Sequence, residues 1–211
     1  MPKILEKTER RLGEKLFLKG DRCLGPKCAA ARRAYAPGVH GKKRGGRGRP
    51  GKSSEFGDLQ REKQKLRFFY GLDDRAVKRY VERASRWRGL FDANLIRMLE
   101  SRLDATVRRL GFAPSAGASR QAVGHGHITV NGRTVRTASY ETRKGDVIGL
   151  APRAGRGSGF GALGERLAGI RPPPWLALDA GRRIGTVVGV PERDPSSAIF
   201  DMVKVKEFYS R

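Results

Sequence analysis

Three neighbouring segments decide the fold: Met98-Leu99-Glu100-Ser101-Arg102-Leu103-Asp104, then Ser119-Arg120-Gln121-Ala122-Val123, then His125-Gly126-His127-Ile128-Thr129-Val130-Asn131-Gly132-Arg133. The first reads as a helical run. The second reads as a short basic helix over about Ala118–Val123. The third is a hairpin, because Asn-Gly between apolar strands favours a type I′ turn, which needs positive φ at both central residues. Ile128-Thr129-Val130 and Thr134-Val135 flank that turn, and Asp146-Val147-Ile148-Gly149-Leu150 supplies a strand to close the sheet. Residues 99–150 therefore read as two helices on a short antiparallel sheet, with basic side chains at a helix start and along a hairpin edge.

Upstream of this module the periodicity is helical. Ser54 or Ser53 caps a helix to about Tyr70, with Gly71 as its stop. Asp73 caps a second helix through about Arg86, with Val77, Tyr80, Val81 and Ala84 on one face. Asp92 caps a third, expected to run on until just before Gly111. Its Leu95, Leu99, Leu103 and Val107 recur every four residues, the pattern of a buried stripe. Downstream, residues 151–164 are glycine-rich and read as a linker. A short helix follows at Gly164–Gly169, then Pro172-Pro173-Pro174-Trp175. The apolar runs Ile184–Val190 and Ile199–Phe208 read as strands or docking segments. The expected architecture is α+β: a basic N-terminal arm (1–53), a helical domain (54–98) on which an irregular tail (165–211) packs, and the inserted module (99–150).

Charge points to the partner. The 211-residue chain carries 45 Lys and Arg against 21 Asp and Glu, a net charge of +24. Residues 1–98 hold 27 basic and 11 acidic side chains, residues 99–150 hold 8 and 4, and residues 151–211 hold 10 and 6. Between Asp21 and Glu55 there are ten basic residues and no acidic one. Their centre is Lys42-Lys43-Arg44-Gly45-Gly46-Arg47-Gly48-Arg49-Pro50-Gly51-Lys52, with almost nothing apolar to bury. Such an arm is expected to order on RNA. Nucleic acid is the default polyanion for so basic a chain. An anionic membrane is the competitor, and it calls for a basic amphipathic helix or an anchor, neither of which is legible. No signal peptide core opens the chain, so a cytoplasmic location is expected.

Catalytic patterns are sparse. Arg102-Leu103-Asp104 matches the Arg-Leu-Asp of pseudouridine synthases, but Ala105-Thr106-Val107 sets the threonine out of register, and no separate catalytic domain accompanies it. Cys23 and Cys28 form half of a zinc knuckle without a second pair, so no bound metal or cofactor is expected. His40, His125 and His127 match no triad or metal spacing. At least one of His125 and His127 is expected to stack on RNA or donate to it.

Several blocks taken together are similar to one family. They are Arg32-Arg33-Ala34-Tyr35-Ala36-Pro37-Gly38-Val39-His40-Gly41, Ser54-Glu55-Phe56-Gly57, Arg61-Glu62-Lys63-Gln64-Lys65 and Tyr70-Gly71. The module adds Leu99–Asp104, Arg120-Gln121, His125 and Val130-Asn131-Gly132. The tail adds Trp175-Leu176, Asp179-Ala180-Gly181 and Glu207-Phe208-Tyr209-Ser210-Arg211. The chain resembles, over nearly its whole length, the bacterial family of small ribosomal subunit protein four. The resemblance implies binding to 16S ribosomal RNA, nucleation of the subunit body, contact with small-subunit protein five that influences decoding accuracy, and a place along the messenger RNA entry path. Many members hold zinc with four N-terminal cysteines; here the first pair falls at Glu6 and Glu9. Ala116 stands where relatives often place an arginine.

On this footing the expected phosphate contacts are Lys42, Lys43, Arg44, Arg47, Arg49, Lys52, Arg61, Lys63, Lys65, Arg67, Arg102, Arg120 and Arg133, with His40 beside them. Gln121, His125, His127 and Asn131 are expected at base edges or sugar hydroxyls. Tyr35 stacks on a base or packs on Pro37. The competing readings are an RNA-modifying enzyme and a free RNA chaperone that use the same module.

Overall fold

The computed structural model describes residues 5–38, 41, 54–152, 154, 163–192 and 199–210. The chain divides into two compact units, residues 1–81 with 196–211, and residues 82–195. The second unit is thus inserted in the sequence of the first. No helix among the described residues is long and apolar enough to cross a membrane.

The first unit begins with α1 (Leu5–Leu12), a helical turn at Gly20–Cys23, and α2 (Ala29–Arg32). Its main helix is α3 (Glu55–Phe69). Ser54 caps α3, its Oγ accepting from Gly57 N–H at 3.2 Å. Gly71, at φ +62°, ends it as expected, with Gly71 N–H donating to the Phe68 carbonyl and Leu72 N–H to that of Arg67. Helix α4 (Asp74–Arg86) is capped by Asp73, whose Oδ1 accepts from Ala76 N–H at 2.7 Å. Helix α9 (Met202–Ser210) returns from the far end of the chain to pack on α3. Phe200 sits edge-on to Phe69 at 5.1 Å, within a core that includes Leu59, Leu66, Leu72 and Val205.

The second unit departs from expectation at its first helix. The stripe of leucines predicts one helix to Gly111; instead α5 (Phe91–Glu100) and α6 (Leu103–Arg109) are separated at Ser101 and Arg102. The first residue of α5 is Phe91, after Leu90, so Asp92 lies inside its first turn and does not cap it. Arg102 is extended (φ −68°, ψ +138°) and bridges Glu141. The loop at 138–142 takes the amides freed at the break: Leu103 N–H donates to Tyr140 at 2.8 Å and Asp104 N–H to Ala138 at 3.2 Å. These are among the donors that no helix satisfies internally, so tertiary contact overrides the local periodicity.

Helix α7 (Ala116–Gly124) starts two residues earlier than predicted because Ser115 caps it, Oγ to Ala118 N–H at 3.3 Å. The hairpin forms as read: β1 (Ile128–Val130) and β2 (Arg133–Thr134) pair antiparallel around Asn131 (φ +50°) and Gly132 (φ +78°). Strand β3 (Val147–Leu150) pairs with β1.

The sheet does not stop there. After α8 (Leu163–Gly169), β4 (Leu176–Asp179) and β5 (Ile184–Val187) extend it to the order β2-β1-β3-β5-β4. Ile148 lies opposite Gly185 in the β3–β5 ladder. The expectation that residues 165–211 pack as one tail on the helices of 54–98 is therefore corrected. Residues 176–187 complete the sheet of the second unit, since the free edge of β3 is satisfied by β5, and among the described residues it is 199–210 that pack on α3. The division into compact units falls near residue 81, within α4, ahead of the residue 99 at which the module is expected to begin. The core of this unit joins Leu103, Val107, Leu110, Val123, Ile128, Ile148, Trp175 and Val187. Most of residues 151–164 lie outside the described residues.

Candidate nucleic-acid interface

The expected contacts His40, Lys42, Lys43, Arg44, Arg47, Arg49 and Lys52 lie outside the described residues. The others divide by burial.

Three of them, Lys63, Lys65 and Arg102, are buried with their charges paired inside the protein, against expectation, and a fourth, Asn131, is exposed but bonded within its turn. Lys63 is 8 % exposed; its Nζ lies 3.1 Å from Asp74 and over the Phe208 ring at 4.4 Å. Lys65, 4 % exposed, pairs with Glu14 at 2.5 Å and Glu62 at 2.8 Å. Burial works against its charge, yet the hydrogen bonds it donates to the two carboxylates carry its pKa above the ordinary lysine value. Arg102 is 2 % exposed, and its guanidinium forks onto Asp104 through Nε (2.9 Å) and Nη2 (2.7 Å). Asn131 is exposed, but both ends of its amide are used. Its Nδ2 donates to Asp146 at 2.9 Å and its Oδ1 accepts from Val147 N–H at 2.8 Å, which locks the hairpin turn to β3.

Three more are exposed or half-buried with internal partners. Arg61 pairs with Asp58 one turn away at 3.2 Å. Arg67 pairs with Asp74 at 3.0 Å and donates to the Leu72 carbonyl and Gln64. Tyr35 packs under the Arg10 guanidinium, 5.0 Å from its ring centroid, and Arg10 Nε donates to the carbonyls of Arg33 and Tyr35.

On the inserted module Arg120, Gln121, His125 and Arg133 reach the surface, and His127 is half-buried. Gln121 and the α7 cap His125 are exposed at i, i+4 spacing, so they share a face. Arg120 is half-exposed, with Nε 4.0 Å from Asp104. His127 sits 5.9 Å from His125, edge to face. Arg133 projects from β2. Sequence reasoning passed over Arg136, Arg143 and Lys144, all exposed. Arg136 was legible as the second arginine of Arg133-Thr134-Val135-Arg136; the loop pair had no local signal. Together they place cations and hydrogen-bonding side chains on the surface of the module, the groups with which proteins contact phosphates.

The acid chemistry is closed off. Asp104 is 5 % exposed and accepts from Arg102 and from Ala105 N–H at 3.0 Å, which leaves it no reach to a substrate. In the first unit Glu9, Cys23 and Cys28 converge, with ligand atoms within 4.8 Å of one another. Among the described residues these are three donors, one short of the four of a structural zinc site. Glu9 Oε1 already accepts from Leu16 N–H (3.0 Å) and Leu18 N–H (3.1 Å), and Glu6 is held by Arg22 at 3.0 Å. Burial pushes the Cys23 thiol pKa up, against thiolate formation.

Residues 5–100 match the model of the Ribosomal protein S4/S9 N-terminal domain, and residues 101–148 match that of the S4 domain. The chain is similar to small ribosomal subunit protein uS4 of Desulfitobacterium hafniense, 45% identical over 204 residues. It is 45% identical over 202 residues to that of Pelotomaculum thermopropionicum, and 43% identical over 202 to that of Syntrophomonas wolfei. In each case 96% of this chain and 94% of the relative are covered.

Proposed function

The chain belongs to the uS4 family of small ribosomal subunit proteins, and we propose from this that it is a non-enzymatic, rRNA-binding structural constituent of the small subunit. The observation that carries the reading is the sorting of cations on the S4 domain. Arg102 is consumed inside, while Arg120, Arg133, Arg136, Arg143 and Lys144 stand at its surface with Gln121 and His125. Exposed Lys and Arg neutralise phosphates, and fixed hydrogen-bonding groups set register.

In the finer reading the protein binds 16S RNA directly and early, nucleates the subunit body, touches small-subunit protein five in a way that influences accuracy, and lies near the messenger RNA entry path in the cytoplasmic ribosome. Filter binding to the five-prime domain of 16S RNA, against an unrelated folded RNA of equal length across a salt series, tests it. A preference that persists near physiological salt is expected. Equal binding that collapses with salt would reduce the protein to a general polyanion binder. The enzymatic alternative is opposed by the enclosure of Asp104, and a base-modification activity abolished by Asp104→Asn would reinstate it. The cluster of Glu9, Cys23 and Cys28 is read as metal-free, with Glu9 accepting from the amides of Leu16 and Leu18. Zinc at one equivalent per purified chain would refute that.

A further inference from the structure

We propose that the turn after α4 carries a stacking platform for an unpaired RNA base, centred on Trp87; this rests on the RNA-binding reading above. Trp87 is 39 % exposed, whereas Trp175 is 5 % exposed in the core. The exposed ring is mounted on a tied backbone. Asn94, from α5, donates through Nδ2 to the Trp87 carbonyl at 3.2 Å, and lies within hydrogen-bond distance of those of Ala84 and Arg88. Gly89, at φ +107°, turns the chain back so that α5 can do this.

Cations surround the ring. The Arg83 guanidinium lies 5.4 Å and that of Arg97 5.8 Å from the indole centroid. Arg83 is oriented by Glu141, which its two nitrogens meet at 2.5 and 3.4 Å. Beside them opens a cavity of about 330 Å³, lined also by Arg143 and Lys144, within the size range of small-ligand sites. Four cations there face a single carboxylate among the lining residues. Arg97, Arg143 and Lys144 form no ion pair among the described residues.

This chemistry selects the ligand. An aromatic face with guanidinium planes beside it takes a base by stacking, and the flanking cations take its phosphates. An apolar protein surface would leave those charges buried without partners. A single-stranded or bulged nucleotide fits both halves of the site.

The full chain is titrated with the five-prime domain of 16S RNA and irradiated, and the crosslinked peptides are mapped. A crosslink from Trp87 to one nucleotide is expected. Trp87→Ala should weaken binding about tenfold, and Trp87→Phe should restore most of it. In a Trp175→Phe background the remaining indole fluorescence should quench as RNA saturates. Full-affinity binding by Trp87→Ala with no Trp87 crosslink overturns the platform and leaves the RNA-binding reading intact. A Trp87 response to an acidic subunit protein and not to RNA overturns it in favour of a protein surface. Failure of the unmodified chain to bind this RNA at all would defeat the underlying reading instead.

Discussion

At the residue scale, identity tells a cation's charge but not where the charge is spent. Lys63, Lys65 and Arg102 sit in basic segments that read as RNA-facing, yet each is taken up by a carboxylate: Asp74 in the next helix, Glu14 far upstream, and Asp104 two residues on. Asp104→Ala would take from buried Arg102 the carboxylate onto which its guanidinium forks and should cost about 3–5 kcal/mol. Urea unfolding of the variant checks this, and an unchanged midpoint would contradict the buried pair. Two groups also set an alkaline limit. Tyr209 is pushed up to about 12, chiefly by burial and also by Asp74, against the opposing Arg67. Lys65 is raised as well. In both cases the folded protein holds its proton to higher pH than the unfolded chain. Their stabilisation is therefore complete below the unfolded values of 10.0 and 10.5 and is lost as pH climbs through the folded ones. Melting temperature should fall above about pH 10, and Tyr209→Phe should flatten part of that fall. A wild-type decline equal to that of the variant would remove Tyr209 from the account.

At the element scale, what was legible had a local cause. Ser54 and Asp73 as caps, Gly71 as a stop and Asn131-Gly132 as a turn all act within a few residues of themselves, and all four stand where the sequence puts them. The break between α5 and α6 was hidden because Leu95, Leu99, Leu103 and Val107 keep helical spacing across it, while the amides that drive it bond to residues 138–142. Likewise Ile184–Val187 was readable as a strand, but its partner was not, since the β3–β5 ladder joins segments far apart in the chain. Gly185 shows how close that ladder is to the core: a Cβ there would come within 2.3 Å of Leu110 Cδ1. Gly185→Ala should thus destabilise the second unit by about 1–3 kcal/mol. Gly149→Ala, in β3, meets only the Thr129 hydroxyl at 3.3 Å and should cost less. Equal losses, read by thermal melting, would mean that the Leu110 contact is not what the glycine serves.

At the scale of the whole molecule, the net charge of +24 overstates what RNA meets, because part of it is neutralised within the fold. The arm centred on residues 42–52 should then carry a disproportionate share of the salt dependence. Replacing Arg44, Arg47 and Arg49 together by Ala should lower the slope of log affinity against log salt by roughly 2 to 3. An unchanged slope would show that the arm stays off the phosphates. The order in which the chain is written has its own effect. Because α9 completes the packing on α3, and β5 covers the edge of β3, neither unit can close while its later residues are still unmade. A nascent chain halted near residue 170 would present an uncovered α3 face and an open strand edge together. Such a truncated chain is expected to aggregate more readily than the finished one.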